Sequence, residues 1–98
     1  MKTLPDDVVA YRETLEFTET SLPEALRNRH STKRGVWGLI RVSEGSLLYT
    51  VYGSSTQDVV LGPATPGVIE PEVEHSVEPI GSVRFSVQFL RSSPHGAA

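Results

Sequence analysis

Frequent prolines and glycines are the feature that most limits how this chain can fold. Seven prolines and eight glycines interrupt 98 residues and leave only short segments between them. Short segments bounded by turn residues are typical of strands, and several of them in succession indicate an antiparallel sandwich or barrel. We therefore expect an all-β fold.

The strand prediction depends on three segments. Residues 36–42 and 47–52 are rich in strand formers, and the Glu44-Gly45 turn signal between them predicts a hairpin. In residues 83–90 apolar and polar side chains alternate, so one face of this strand is predicted to point into the core. The apolar members of that alternation are Val83, Phe85, Val87 and Phe89.

A single signal favours a helix. Ser21 and Glu24 have the spacing of a capping box, and Pro23 is tolerated in a first helical turn. The residues after this signal do not repeat apolar side chains with the helical period of about 3.6 residues. We therefore expect at most one short helical turn near residues 21–26, with Ser21 as its cap.

Length, charge and cysteine content exclude several classes of protein. A chain of 98 residues allows one domain, predicted over residues 1–92 and followed by a flexible tail, 93–98, that contains His95. The net charge of -3 argues against nucleic acid and anionic membrane as partners. The absence of cysteine excludes disulfides and thiolate metal sites. With no signal sequence and no run of about 20 apolar residues, we expect a cytoplasmic protein.

Two histidines are candidates for chemistry. Glu72 and His75 lie in an acidic stretch, and two interpretations of it are open: a solvated loop, which the spacing by itself favours, or two ligands of one divalent cation. Residues three apart face opposite sides of a regular strand, but Pro71 permits a turn that aims both side chains the same way. His30 joins this site only if the fold brings it to His75.

Three stretches of the chain, 29–49, 66–81 and 83–91, resemble one family. The most specific runs are HSTKRGVWG and PEVEH, which begin at His30 and Pro71. The chain is similar to the TehB/YeaR-like family, small cupin-type domains associated with tellurite resistance. The resemblance covers nearly the whole chain and implies an antiparallel jelly-roll β-barrel. Members of this family occur alone or ahead of a methyltransferase domain, and we expect no such domain within these 98 residues.

The general cupin pattern, carried over residue by residue, gives only part of a metal site. The position of its glutamate ligand falls on Gly38, and residues 31–34 offer no ligands in place of its histidine pair. Gln88 is a weak fourth candidate, because the predicted alternation turns it away from the interior. The resemblance therefore implies a reduced site of His30, Glu72, His75 and Gln88. Two imidazoles and a carboxylate suit Zn, Fe, Ni or Mn and do not select a reaction, so the sequence leaves open whether the protein is an enzyme.

Three functions follow as hypotheses. The first is a small cupin-type metal-binding protein. In its stronger form, this protein is a metal-dependent small-molecule enzyme linked to tellurite or oxyanion stress. The second is a non-catalytic ligand-binding or sensing module that takes a small-molecule or oxyanion ligand near a basic cluster. That cluster is Arg27, Arg29, Lys33 and Arg34. The third is an interaction protein that forms a homodimer through an exposed strand.

Overall fold

Two long antiparallel strands form the centre of the fold. The computed structural model describes residues 1–92, so the predicted tail and His95 lie outside the described residues. One helix and six strands follow in chain order: β1 (Val8–Glu13), β2 (Phe17–Thr18), α1 (Glu24–Arg27), β3 (Trp37–Tyr52), β4 (Thr56–Leu61), β5 (Gly67–Ile69) and β6 (His75–Ser92).

All strand pairs are antiparallel and belong to one sheet of order β1-β6-β3-β4. The short strand β2 pairs with β6, and β5 pairs with β3. Within residues 1–92 the sheet is open, since no pairing joins β1 to β4. The all-β antiparallel class is confirmed, whereas the closed jelly-roll barrel is not.

The predicted hairpin at Glu44-Gly45 is wrong, because β3 runs without interruption through both residues. The β3–β6 ladder shifts register twice, between Val42 and Glu44 and between Gly45 and Ser46. Such bulges bend a strand without reversing it. Because β6 supplies hydrogen-bond partners to both halves of β3, the chain gains more from a bent continuous ladder than from a turn.

The core lies on one face of this bent sheet. Val83, Phe85 and Val87 are buried and Phe89 is partly buried, so the predicted alternation of the last strand is confirmed for the first three. They pack with the apolar residues of β3, β4 and β5: Ile40, Val42, Leu47, Tyr49, Leu61 and Ile69.

The predicted helical turn is confirmed as α1, but Ser21 does not cap it. The N-cap position is Pro23, which offers no side-chain hydrogen bond. The Ser21 hydroxyl instead accepts a hydrogen bond of 2.8 Å from the Thr18 N–H. Ser21 therefore closes the turn between β2 and α1.

The two ends of the sheet expose apolar side chains. On β1, Val9 and Tyr11 are 46% and 44% exposed, and on β4 Val60 is 57% exposed. Unpaired strand edges are able to pair with another chain. The homodimer stays a prediction that light scattering would test. In the described part of the chain no helix is long and apolar enough to cross a membrane.

We predict that Gly45→Ala destabilises the protein far more than Gly81→Ala. Both glycines have positive φ, 80° and 67°. A Cβ on Gly45 would overlap the carbonyl oxygen of Ser82, whereas a Cβ on Gly81 would meet nothing within 4 Å. We expect a loss of about 1–2 kcal/mol for Gly81→Ala from the left-handed conformation alone, and roughly 2 kcal/mol more for Gly45→Ala. Urea unfolding measures both, and equal losses would contradict the close approach of β3 and β6.

Candidate functional site

A cleft of about 540 Å³ opens over the sheet and is lined by residues from both halves of β6. Its volume lies in the range of small-molecule sites. Its apolar floor combines buried core residues, Ile40, Ile69, Val77, Phe85 and Val87, with the partly buried Phe17, Leu26 and Phe89. Its polar lining includes both candidate histidines and the side chains of Arg12, Thr14, Thr32 and Lys33.

The fold brings His30 and His75 together through a backbone bridge. The His30 N–H donates to the His75 carbonyl at 3.0 Å, and the His75 N–H donates to the His30 carbonyl at 2.8 Å. Residues paired in this way project their side chains on the same side. The imidazole rings accordingly meet edge to face, with 4.2 Å between their centroids. The fold therefore brings His30 to His75, which is the condition on which His30 could join a site with it.

Each imidazole is also fixed by a carbonyl close in sequence. The Nδ1 atom of His30 lies 2.8 Å from the Asn28 carbonyl oxygen, and Nδ1 of His75 lies 3.1 Å from that of Val73. A carbonyl oxygen only accepts hydrogen bonds, so in each ring Nδ1 carries the proton and donates. Nε2 is left as the ring nitrogen available to a ligand in the cleft.

The environment of His75 keeps its imidazole neutral. The residue is 2% exposed. The pKa of His75 is lowered from its ordinary value of 6.5 to about 4, chiefly by burial; the hydrogen bond to Val73 opposes this shift and the neighbouring His30 adds to it. At neutral pH His75 therefore presents a lone pair on Nε2 and acts as a hydrogen-bond acceptor.

Glu72 does not join the histidines. The Val73 N–H donates to the Glu70 carbonyl at 3.4 Å, and Glu72 has a φ of 65°, which fits a type II turn with Pro71 in its second position. The backbone N–H of Glu72 binds the Thr32 carbonyl at 3.1 Å, and its side chain is exposed and outside the cleft lining. The turn that Pro71 permits thus turns the carboxylate outward.

The predicted metal site is wrong. In residues 1–92 no group of three histidine, aspartate or glutamate side chains is arranged to hold a metal ion. Gln88 lies between two lining residues of β6, Val87 and Phe89, and does not line the cleft itself. At Gly38 a Cβ would meet Ile69 Cδ1 at 2.8 Å, so Ile69 fills the space of the cupin glutamate. The divalent ion predicted as Zn, Fe, Ni or Mn therefore lacks its third ligand.

The predicted basic cluster is divided by the fold. Arg27 lies 3.9 Å from Glu78, and Arg29 lies 2.9 Å from Glu74 and stacks over the ring of Tyr52. Among the four cluster residues only Lys33 lines the cleft.

Arg12, which also lines the cleft, was not predicted to have a functional role. It reaches this position because β1 pairs with the end of β6. No local sequence signal predicts the pairing of β1 with β6. The positive charge of Arg12 is the one property in the sequence that could have indicated a functional role for it.

Comparison with known proteins identifies the family. A model of the TehB-like domain matches residues 12–87. The chain belongs to this family. It is 27% identical over 79 residues to the probable S-adenosyl-L-methionine-dependent methyltransferase TehB of Haemophilus influenzae strain Rd, and 25% identical to the same protein of strain 10810. Each match covers 76% of this chain and 28% of the methyltransferase, so the chain spans well under a third of these relatives.

Two crystal structures have the same fold. That of TehB from Haemophilus influenzae has a TM-score of 0.82 at 22% identity, with 89% of this chain and 32% of that chain covered. A structural-genomics target from E. coli K12 has a TM-score of 0.85 at 22% identity, with 95% of this chain and 99% of that chain covered.

These findings confirm the predicted family and contradict the predicted function. The curated relatives are named as S-adenosyl-L-methionine-dependent methyltransferases, not as metal-binding cupins or stress sensors. The prediction of a metal-binding cupin linked to tellurite or oxyanion stress is therefore wrong, as is its divalent metal cofactor.

We predict that stability falls as the pH drops from about 6.5 to about 4. In this window the unfolded chain protonates His75 and the folded protein does not, because the folded pKa is lowered to about 4. The loss is on the order of 3 kcal/mol. Urea unfolding across this range measures it, and His75→Gln should flatten the profile. An NMR titration of the native His75 ring with a midpoint near its ordinary value would contradict the prediction, whether or not the variant folds.

We predict that Glu72→Gly is more stable than Glu72→Ala by about 1 kcal/mol, because glycine adopts a positive φ without the steric cost that a Cβ imposes. Thermal unfolding of the two variants measures the difference. Neither variant should change ligand binding in the cleft, since the Glu72 side chain lies outside it. A more stable alanine variant would contradict the left-handed conformation at this turn.

Proposed function

We propose that this chain is the substrate-handling β domain of a methyl-transfer system. It holds a small molecule in the cleft for an S-adenosyl-L-methionine-dependent methyltransferase, which carries the methyl donor. The observation that supports this is a match to 28% of the length of proteins named as such methyltransferases, in a domain that has a cleft of about 540 Å³.

The methyl donor does not suit this cleft. S-adenosyl-L-methionine carries a positively charged sulfonium, and its ribose hydroxyls suit a carboxylate acceptor of the kind that binds nucleotide ribose. The cleft has Arg12 and Lys33 in its lining and neither aspartate nor glutamate. The one helix of residues 1–92 has four residues, too few for the strand–helix–strand unit that commonly binds nucleotide cofactors. We therefore assign no step of methyl transfer to these residues.

Binding and orientation are what the chain's own residues provide. The apolar floor removes water from the body of a ligand, which supplies non-directional affinity. His75 supplies direction, because its Nδ1–H is held by Val73 and its neutral Nε2 accepts from an O–H or N–H of the ligand. A group held in this way is presented at a constant angle.

Two finer points belong to this proposal. The jelly-roll topology implied by the family resemblance stays a prediction, supported by the bends at the β3–β6 bulges. The small-molecule ligand also stays a prediction, supported by the size and apolar floor of the cleft.

We predict that blocking the cleft lowers methyl transfer. The chain would replace the matching segment of TehB from Haemophilus influenzae, and S-adenosylhomocysteine formation would be measured with the small molecules of the host extract as acceptors. Ser31 is exposed and lines the cleft, so Ser31→Trp fills its mouth without disturbing the core. The matched control is Arg34→Trp, at a position that is also exposed but lies outside the lining.

The expected result is full activity of the chimaera and of its Arg34→Trp variant, with a marked loss for Ser31→Trp. Equal activity of all three proteins, or of TehB without the segment, would overturn the proposed function. Binding of S-adenosyl-L-methionine to this chain alone, measured by calorimetry, would overturn the division of roles.

A further inference from the structure

The charge of the cleft is opposite in sign to that of the whole chain. The protein has twelve acidic and nine basic residues, for a net charge of -3. The cleft lining nevertheless includes the cations Arg12 and Lys33 and contains no aspartate or glutamate. The fold thus keeps the acidic side chains, which are the more numerous charged residues, out of the cleft lining.

Within residues 1–92 neither cation forms an ion pair. The five ion pairs of these residues use Lys2, Arg27, Arg29 and Arg84 as their basic partners. Arg12 is held over the ring of Phe89, another lining residue, at 5.8 Å from its centroid. Lys33 enters from the loop that follows His30. Two distant segments therefore place exposed positive charge at the mouth of one cleft.

The apolar floor defines the rest of the ligand. A strongly hydrated inorganic anion would leave this floor without a partner, and an organic cation would be repelled at the mouth. We infer that the cleft binds a small organic anion with an apolar body. The biological role of this binding rests on the proposed function. The body packs on the partly buried residues of the apolar floor, Phe17, Leu26 and Phe89, and the anionic group faces Arg12 and Lys33.

Four ligands of related shape test this inference on the whole chain by NMR shift titration at low salt, where charge effects are largest. Phenylacetate has both features, phenylacetamide lacks the charge, phenethylamine reverses it and acetate lacks the apolar body. We expect phenylacetate to bind most tightly, about three- to tenfold more tightly than phenylacetamide, with phenethylamine and acetate weaker still.

Protein variants locate the charge effect. Lys33→Gln and Arg12→Gln should each weaken phenylacetate binding about three- to fivefold and leave phenylacetamide binding unchanged. Arg34→Gln is the matched control, since Arg34 is exposed beside Lys33 but does not line the cleft. All three positions are exposed, so the variants should fold like the parent.

Several results would overturn the inference. They are equal binding of the amide or the amine, equal binding of acetate, an equal loss in Arg34→Gln, and no binding by any of the four ligands. A peptide that displaces phenylacetate and binds more tightly would likewise replace the small anion as the occupant. Because these titrations contain no methyltransferase, their failure is distinct from failure of the Ser31→Trp experiment, which concerns only the proposed function.

Discussion

The hydrogen-bond ladder between β3 and β6 is the interaction on which the rest of the molecule depends. It pairs Trp37 with Leu90 at one end and Val51 with His75 at the other, across two register shifts. Every other strand pairs with one of these two. The bulges bend both strands together, and Gly45 permits this bend because Ser82 and Val83 lie where a side chain would project. A concave face over the core, and hence a cleft, is a consequence of that bend.

The cleft gains part of its polar lining, His30, Ser31, Thr32 and Lys33, from a loop that is bound to the start of β6. The mutual bridge of His30 and His75 fixes the loop, and the bond from the Glu72 N–H to Thr32 fixes it a second time. The same turn that closes this contact directs the Glu72 carboxylate outward. A geometry that brings two histidines together therefore also removes the acidic ligand that a metal would need. Burial then keeps His75 neutral, which suits it to accept a hydrogen bond from a ligand.

This arrangement agrees with membership of the TehB-like domain family and with the proposed role in handling a substrate. A cationic mouth above an apolar floor disfavours a cationic methyl donor and favours an anionic acceptor molecule. In the proposed system, binding and chemistry are divided between two folds. The β domain selects and orients a ligand, and a partner methyltransferase acts on it.

Local sequence patterns were sufficient to predict the features that depend on neighbouring residues. Turn residues and strand formers specified an all-β chain, the alternation at Val83, Phe85 and Val87 specified a buried face, and two short motifs specified the family. At Gly45 the local pattern predicted a hairpin, but the structure has a bent continuous strand. The same glycine permits a turn or a bend, and only the pairing of β3 with β6 selects the bend. The meeting of His30 with His75, the arrival of Arg12 at the cleft and the filling of space at Gly38 by Ile69 were likewise decided by the tertiary structure. Each depends on contacts between residues far apart in the chain, and periodicity along the sequence carries no information about which distant segments will pair.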